Sequence, residues 1–204
     1  MNSIRLSGIA ISLGGVLLII VNAVFTPMLA TDVPFPEMMA SQAYVWRLSL
    51  AAITVFLFMI GSPGVYRYQA DQSGLFGKIA FGLTFLGCAT LFAHEWGQVF
   101  FVHSMAVAAP DALQAMEDAQ GINAFDLEAL IVIMTFTLGW IGFAASMLAA
   151  KFIARPGPVL IITGFFAIPL FTVVAGPALG GALGNAVLGS GFILLGRELI
   201  RSTI

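Results

Sequence analysis

His94, Glu95 and Gln98 stand within five residues of one another inside an otherwise apolar run. Ionisable groups in such a run are costly unless they are paired or functional. Three more polar side chains belong with them: Asn22, Arg47 and Asn185. At about 1.5 Å of rise per residue across a core of about 30 Å, all six fall near one level, towards the outer face of a membrane. In an enzyme at this level, Glu95 would be the general acid or base, with His94 assisting. Arg47, Gln98, Asn22 and Asn185 would hold the polar part of a substrate. Arg47 is the cation at matching depth, so a Glu95–Arg47 ion pair is predicted between two spans. The same residues also read as glue between helices, because a buried Arg–Glu pair often does no more than set packing.

Metal and cofactor chemistry is not expected. His94 and His103 are nine residues apart, on opposite sides of one helix, and cannot ligate the same ion. The second histidine of a zinc H-E-x-x-H motif beginning at His94 would fall at position 98, which is Gln98. A haem would need another axial histidine at suitable depth, and only His103 remains. The lone cysteine, Cys88, can form no internal disulfide, and a net charge of −2 leaves no basic cluster for nucleic acid.

The elements that carry these residues are spanning helices. Of 204 residues, 60% are hydrophobic and 9% charged, where a soluble domain carries about 25% charged residues. The mean hydropathy of +1.02 agrees. Apolar runs give six transmembrane helices over Ile4–Thr26, Ala43–Gly61, Gly77–Val107, Leu127–Phe152, Val159–Gly176 and Ala178–Leu199. The fold class expected is therefore an all-α polytopic membrane helix bundle, one domain over 1–204. The first run is too long, and Met28 too large, for a cleaved signal peptide. Arg5, Arg67, Lys78, Lys151, Arg155, Arg197 and Arg201 all fall on one side if both termini are cytoplasmic, the positive-inside arrangement. The opposite connections carry Asp32, Glu37, Asp111, Glu117, Asp118, Asp126 and Glu128 with no Lys or Arg.

Finer features follow from local chemistry. The two prolines of Thr31–Pro36 predict a stiff extended segment. Leu113 and Met116 share a face over Pro110–Gln120, which predicts a short amphipathic helix on the outer surface, ended by Gly121. Asp126 is placed to N-cap the fourth span. Cys88, Leu91, Glu95, Gln98 and Val102 make one stripe of the third span, beside an aromatic stripe of Phe92, Trp96 and Phe100. Tyr44 and Trp46 suit an interfacial belt, as does His103. Gly180 and Gly184 form a GxxxG, read first as close packing against the fifth or first span and second as a dimer contact.

In layout the chain resembles small bacterial six-span membrane families of unknown function. The likeness is carried by Trp46-Arg47-Leu48, Gly64-Val65-Tyr66-Arg67 and Pro156-Gly157-Pro158-Val159-Leu160. It implies a multi-pass protein of the bacterial cytoplasmic membrane and specifies no substrate. The function expected is binding, carrying or modifying a small, partly apolar molecule or lipid in an outward-facing polar pocket. The alternative is an accessory subunit of a larger membrane complex. Expected partners are the bilayer, a small apolar ligand or lipid, and a second copy or a larger complex.

Overall fold

The computed structural model describes residues 3–119, 124–151 and 153–202. Its helices are α1 (Ser3–Ile20), α2 (Phe35–Ala40), α3 (Gln42–Gly97), α4 (His103–Ala108), α5 (Pro110–Glu117), α6 (Ala124–Ala150), α7 (Pro156–Ala175) and α8 (Pro177–Arg201). Five helical stretches are long and apolar enough to cross a membrane, the longest being Gln42–Ala108. This is the architecture of a multi-pass membrane protein.

The 56 residues of α3 are not one rod. Gly74 has φ 56° and ψ −154°, a backbone region open almost only to glycine. The helix folds back there: Tyr66 stacks on Phe81 with ring centroids 4.6 Å apart, and Phe56 meets Phe92 at 5.6 Å. At the far end the Tyr44 hydroxyl reaches Gln98, 54 positions along the chain, at 2.7 Å. An outgoing limb (residues 42–73) and a returning limb (residues 75–97) therefore lie antiparallel. The outgoing limb runs past Gly61, where the sequence predicted its end, and through Pro63. Proline lacks the N–H that would bond the carbonyl of Met59. Ser62 Oγ donates to that carbonyl instead, at 3.0 Å, so the helix continues.

Close backbone approach organises the rest. A Cβ added to Gly8 would lie 2.6 Å from the Gly196 carbonyl, and one on Gly15 equally close to that of Gly189, so α1 and α8 touch along glycines. Gly180, Gly184 and Gly191 turn instead to α7, against Phe171, Ile168 and Ile161, which makes the GxxxG an intramolecular contact. Gly87 and Gly139 seat the returning limb against α6. Between these contacts Phe58, Trp140 and Phe192 form the buried aromatic centre.

The chain is polarised. Arg67 Nη1 donates to Ser3 Oγ at 3.2 Å, which ties the start of α1 to the outgoing limb near its Gly74 end. Gly157 packs on Leu195, and Gly77 lies near Ser146, so the end of α6, the start of α7 and the end of α8 share that pole. Seven of the eight Lys and Arg residues gather there.

At the opposite pole α2 and α5 form a cap over the helix ends. Met39, Tyr44, Leu48, Ala106 and Leu113 are its buried core. Leu113 of the amphipathic helix is 5% exposed, so α5 packs on the protein with this residue. Pro36 does not prolong an extended segment as expected. It sits in the first turn of α2, where its missing N–H would have had no helical partner. Asp126 lies in the first turn of α6, which begins at Ala124, and not at the cap position. Gln120, Gly121 and Phe152, the predicted ends of α5 and of the fourth span, lie outside the described residues.

Candidate functional site

Two helices depart from α geometry at the capped pole. Residues Val21–Phe25 continue α1 as a π-helical turn, and Gln98–Val102 do the same for α3 before α4. Each such turn widens the helix by one residue, re-aims the side chains beyond it, and recurs at functional sites. Here the first carries Asn22 and leads to Thr26, and the second begins at Gln98.

The central feature is a line of hydrogen bonds across three helical segments. Tyr44 OH donates to Gln98 Oε1 at 2.7 Å, Gln98 Nε2 lies 2.7 Å from His94 Nε2, and His94 Nδ1 lies 2.6 Å from Glu128 Oε2 of α6. The chemistry of the groups sets the proton positions. With its oxygen turned to Tyr44, Gln98 presents N–H to His94 Nε2, which must accept. The ring proton is then on Nδ1 and is donated to the Glu128 carboxylate. His94 is clamped at both nitrogens and packed on the Phe125 ring, 5.6 Å away. Its side chain is 9% exposed, and that of Glu128 is 47% exposed.

This line borders a cavity of about 570 Å³. The returning limb and its π turn supply one wall, with Ala93, His94, Gly97, Gln98 and Phe101. Phe35 and Met39 of α2, Met105 of α4 and Leu113 and Met116 of α5 close it above. The first turns of α6 face the returning limb with Phe125, Asp126 and Glu128, and Glu117 completes the rim. The gap exists because α6 touches the returning limb backbone to backbone only lower down, at Gly87 and Gly139. Beside His94 the small Ala93 and Gly97 leave room, and a Cβ on Gly97 would meet nothing nearer than Phe101 at 4.0 Å.

The residues singled out in the sequence separate into two groups. His94 and Gln98 meet at the cavity. Glu95, one position on, points elsewhere; its Oε2 is fully shielded and without a hydrogen-bond partner. The expected Glu95–Arg47 ion pair is not formed. Arg47 Nε donates to Thr26 Oγ1 at 3.1 Å, while Arg47 remains within electrostatic reach of Glu95. Thr26 is available because the end of α1, wound as a π turn, brings its hydroxyl opposite the outgoing limb. Asn22 and Asn185 each bond the carbonyl one turn back in their own helix, Leu18 and Gly181, both at 2.9 Å. Short amide side chains commonly close on the helix in this way.

Three members of the site escaped the sequence reading. Tyr44, expected at an interface, is 3% exposed and anchors the hydrogen-bond line. His103, expected there too, takes the Met39 carbonyl as partner, 2.9 Å from Nδ1, and so ties α4 to α2. Glu128 read as one of several outer carboxylates. Its sequence signal was its place at the very start of the fourth apolar run. Among the described residues no group of three or more His, Cys, Asp or Glu side chains is disposed to hold a metal. Comparison of the chain with protein-family models, with curated proteins and with solved structures gives no match.

Proposed function

We propose that this is a six-span protein of the bacterial cytoplasmic membrane, with both termini inside, that binds or carries a small, partly apolar molecule in the cavity at its outer pole. Counting the two limbs of α3 separately turns five long apolar stretches into six spans. The gathering of seven cations at the other pole supports the orientation. The observation that carries the function is the cavity itself. It is of ligand size, apolar on most sides, and polar along one wall where His94, Gln98 and Glu128 converge. Such a lining suits a molecule with one polar end.

Binding or carrying fits better than chemical modification. A general base needs a free nitrogen, and both nitrogens of His94 are already engaged. Glu95, the other candidate acid or base, does not line the cavity.

The test is mass spectrometry of small molecules that co-purify with the wild type and with Gly97→Leu. The leucine would fill the cavity without displacing backbone, because the space around Gly97 is open. A discrete compound found in the wild type and lost from the folded variant is expected. Equal amounts of bulk lipid in both, and nothing else, would refute the proposal.

A further inference from the structure

We infer that the occupant of the outer cavity is a cationic amphiphile, an amine or quaternary ammonium group on a hydrocarbon tail, entering sideways from the outer leaflet. This rests on reading the cavity as a binding site.

The charge of the lining is one-sided. Glu117, Asp126 and Glu128 contribute carboxylates to its surface, and no Lys or Arg lines it. His94 is engaged at both ring nitrogens, by Gln98 and Glu128, which leaves the Glu117 and Asp126 carboxylates to face a ligand's charge. The N-terminus of α6 offsets about half a charge, which leaves the site negative. The wider pole has the same sign, with Asp32, Glu37, Asp111 and Asp118 added, while its one cation, Arg47, lies off the cavity against Thr26. A field of one sign raises the local concentration of the opposite ion. A fatty-acid carboxylate or a lone phosphate would find like charges there and no cation to pair with.

The apolar part of the lining suits the rest of such a molecule. Phe35, Phe101 and Phe125 line the same cavity as the carboxylates, the combination of residue types that receives ammonium groups. Met39, Met105 and Met116 can mould to a flexible tail. Phe101 lines the cavity and is 75% exposed, with the small Ala93 and Gly97 on the same wall, which favours entry from the flank of the bundle. Leu127 and Ile131, on the adjoining stretch of α6, are 49% and 57% exposed, as expected of a side turned to lipid.

The experiment compares three probes with one tail: dodecyltrimethylammonium, dodecanol and dodecanoate. Equilibrium dialysis measures each against the full chain in nanodiscs of uncharged lipid, with empty nanodiscs subtracted. The wild type is expected to hold the ammonium probe at least about tenfold more tightly than dodecanol, a gap of about 1.4 kcal/mol, and to take up no dodecanoate. Gly97→Leu should lose every probe. The triple variant Glu117→Gln, Asp126→Asn, Glu128→Gln should lose the ammonium preference and keep dodecanol, which also shows that it folds. Glu117→Gln alone, at an exposed rim position, should weaken the preference in part. Dodecanol or dodecanoate bound as tightly as the ammonium probe, and lost in Gly97→Leu, would overturn the cationic inference and leave the binding site standing. A preference that survives loss of all three carboxylates would overturn it too. Binding unchanged by Gly97→Leu, or none to the wild type, would remove the site and the inference together.

Discussion

Tyr44 ties the outgoing limb to the polar line, because its hydroxyl bonds the same Gln98 amide that meets His94. Removing that hydroxyl as Tyr44→Phe should cost about 1 kcal/mol, the net worth of one interhelical hydrogen bond. A lowered thermal midpoint in detergent would register it. The amide would then be free to turn, and the His94 tautomer with it. Glu95 behaves in the opposite way. A carboxylate with a shielded, partnerless oxygen is a burden on the fold. Glu95→Gln keeps the shape and removes the charge, so thermal stability should hold or rise. Ligand recovery should be unchanged; loss of the co-purifying compound in this variant would return Glu95 to the site. His94, Glu95 and Gln98 share two turns of the returning limb, but only His94 and Gln98 line the cavity. Which of them faces it is set by how that limb is rotated against α6, a relation no residue pattern announces.

At the scale of elements, glycines set the distances. Gly82 and Gly87 lie one turn and a half apart on the returning limb, yet a Cβ on Gly82 meets nothing, while one on Gly87 would sit 2.6 Å from the Phe136 backbone. Gly82→Ala should therefore stabilise the chain by about 0.5–1 kcal/mol through helix propensity alone. Gly87→Leu should destabilise it by about 1–3 kcal/mol or more by prising α6 from the limb. Unfolding midpoints of the two variants, compared in one detergent, check both signs. Gly74→Ala tests the hairpin. Space is free there, but the backbone region is not, so a loss of about 1–3 kcal/mol is expected from strain. An unchanged midpoint would mean that the turn can be made another way. The sequence offered Gly74 no distinction among 22 glycines, and placed the turn only between Gly61 and Gly77.

For the whole molecule the measurable quantity is orientation. Cys88 is buried and is the only cysteine, so it leaves a silent background for thiol labelling. Asp118→Cys should react with a membrane-impermeant maleimide in intact cells, and Arg201→Cys only after the membrane is opened. The reverse pattern would invert the proposed topology and put the cavity at the inner face.

The apolar runs, their lengths and the one-sided distribution of Lys and Arg were open to reading from the chain alone. Transfer of a segment into lipid depends on that segment's own composition, summed residue by residue. Pairings could not be read in the same way. His94 and Glu128 are 34 positions apart, Tyr44 and Gln98 are 54 apart, and Arg47 and Thr26 are 21 apart. Each is decided by how closely two helices approach and how each is rotated, which the glycine contacts and the two π turns set together. The sequence by itself therefore determined where polar groups are scarce and which apolar runs carry them. Only the tertiary structure decided that Arg47 turns its Nε to Thr26, that Glu95 keeps one shielded oxygen without a hydrogen bond, and that α6 stands off from α3 far enough to leave a cavity beside His94.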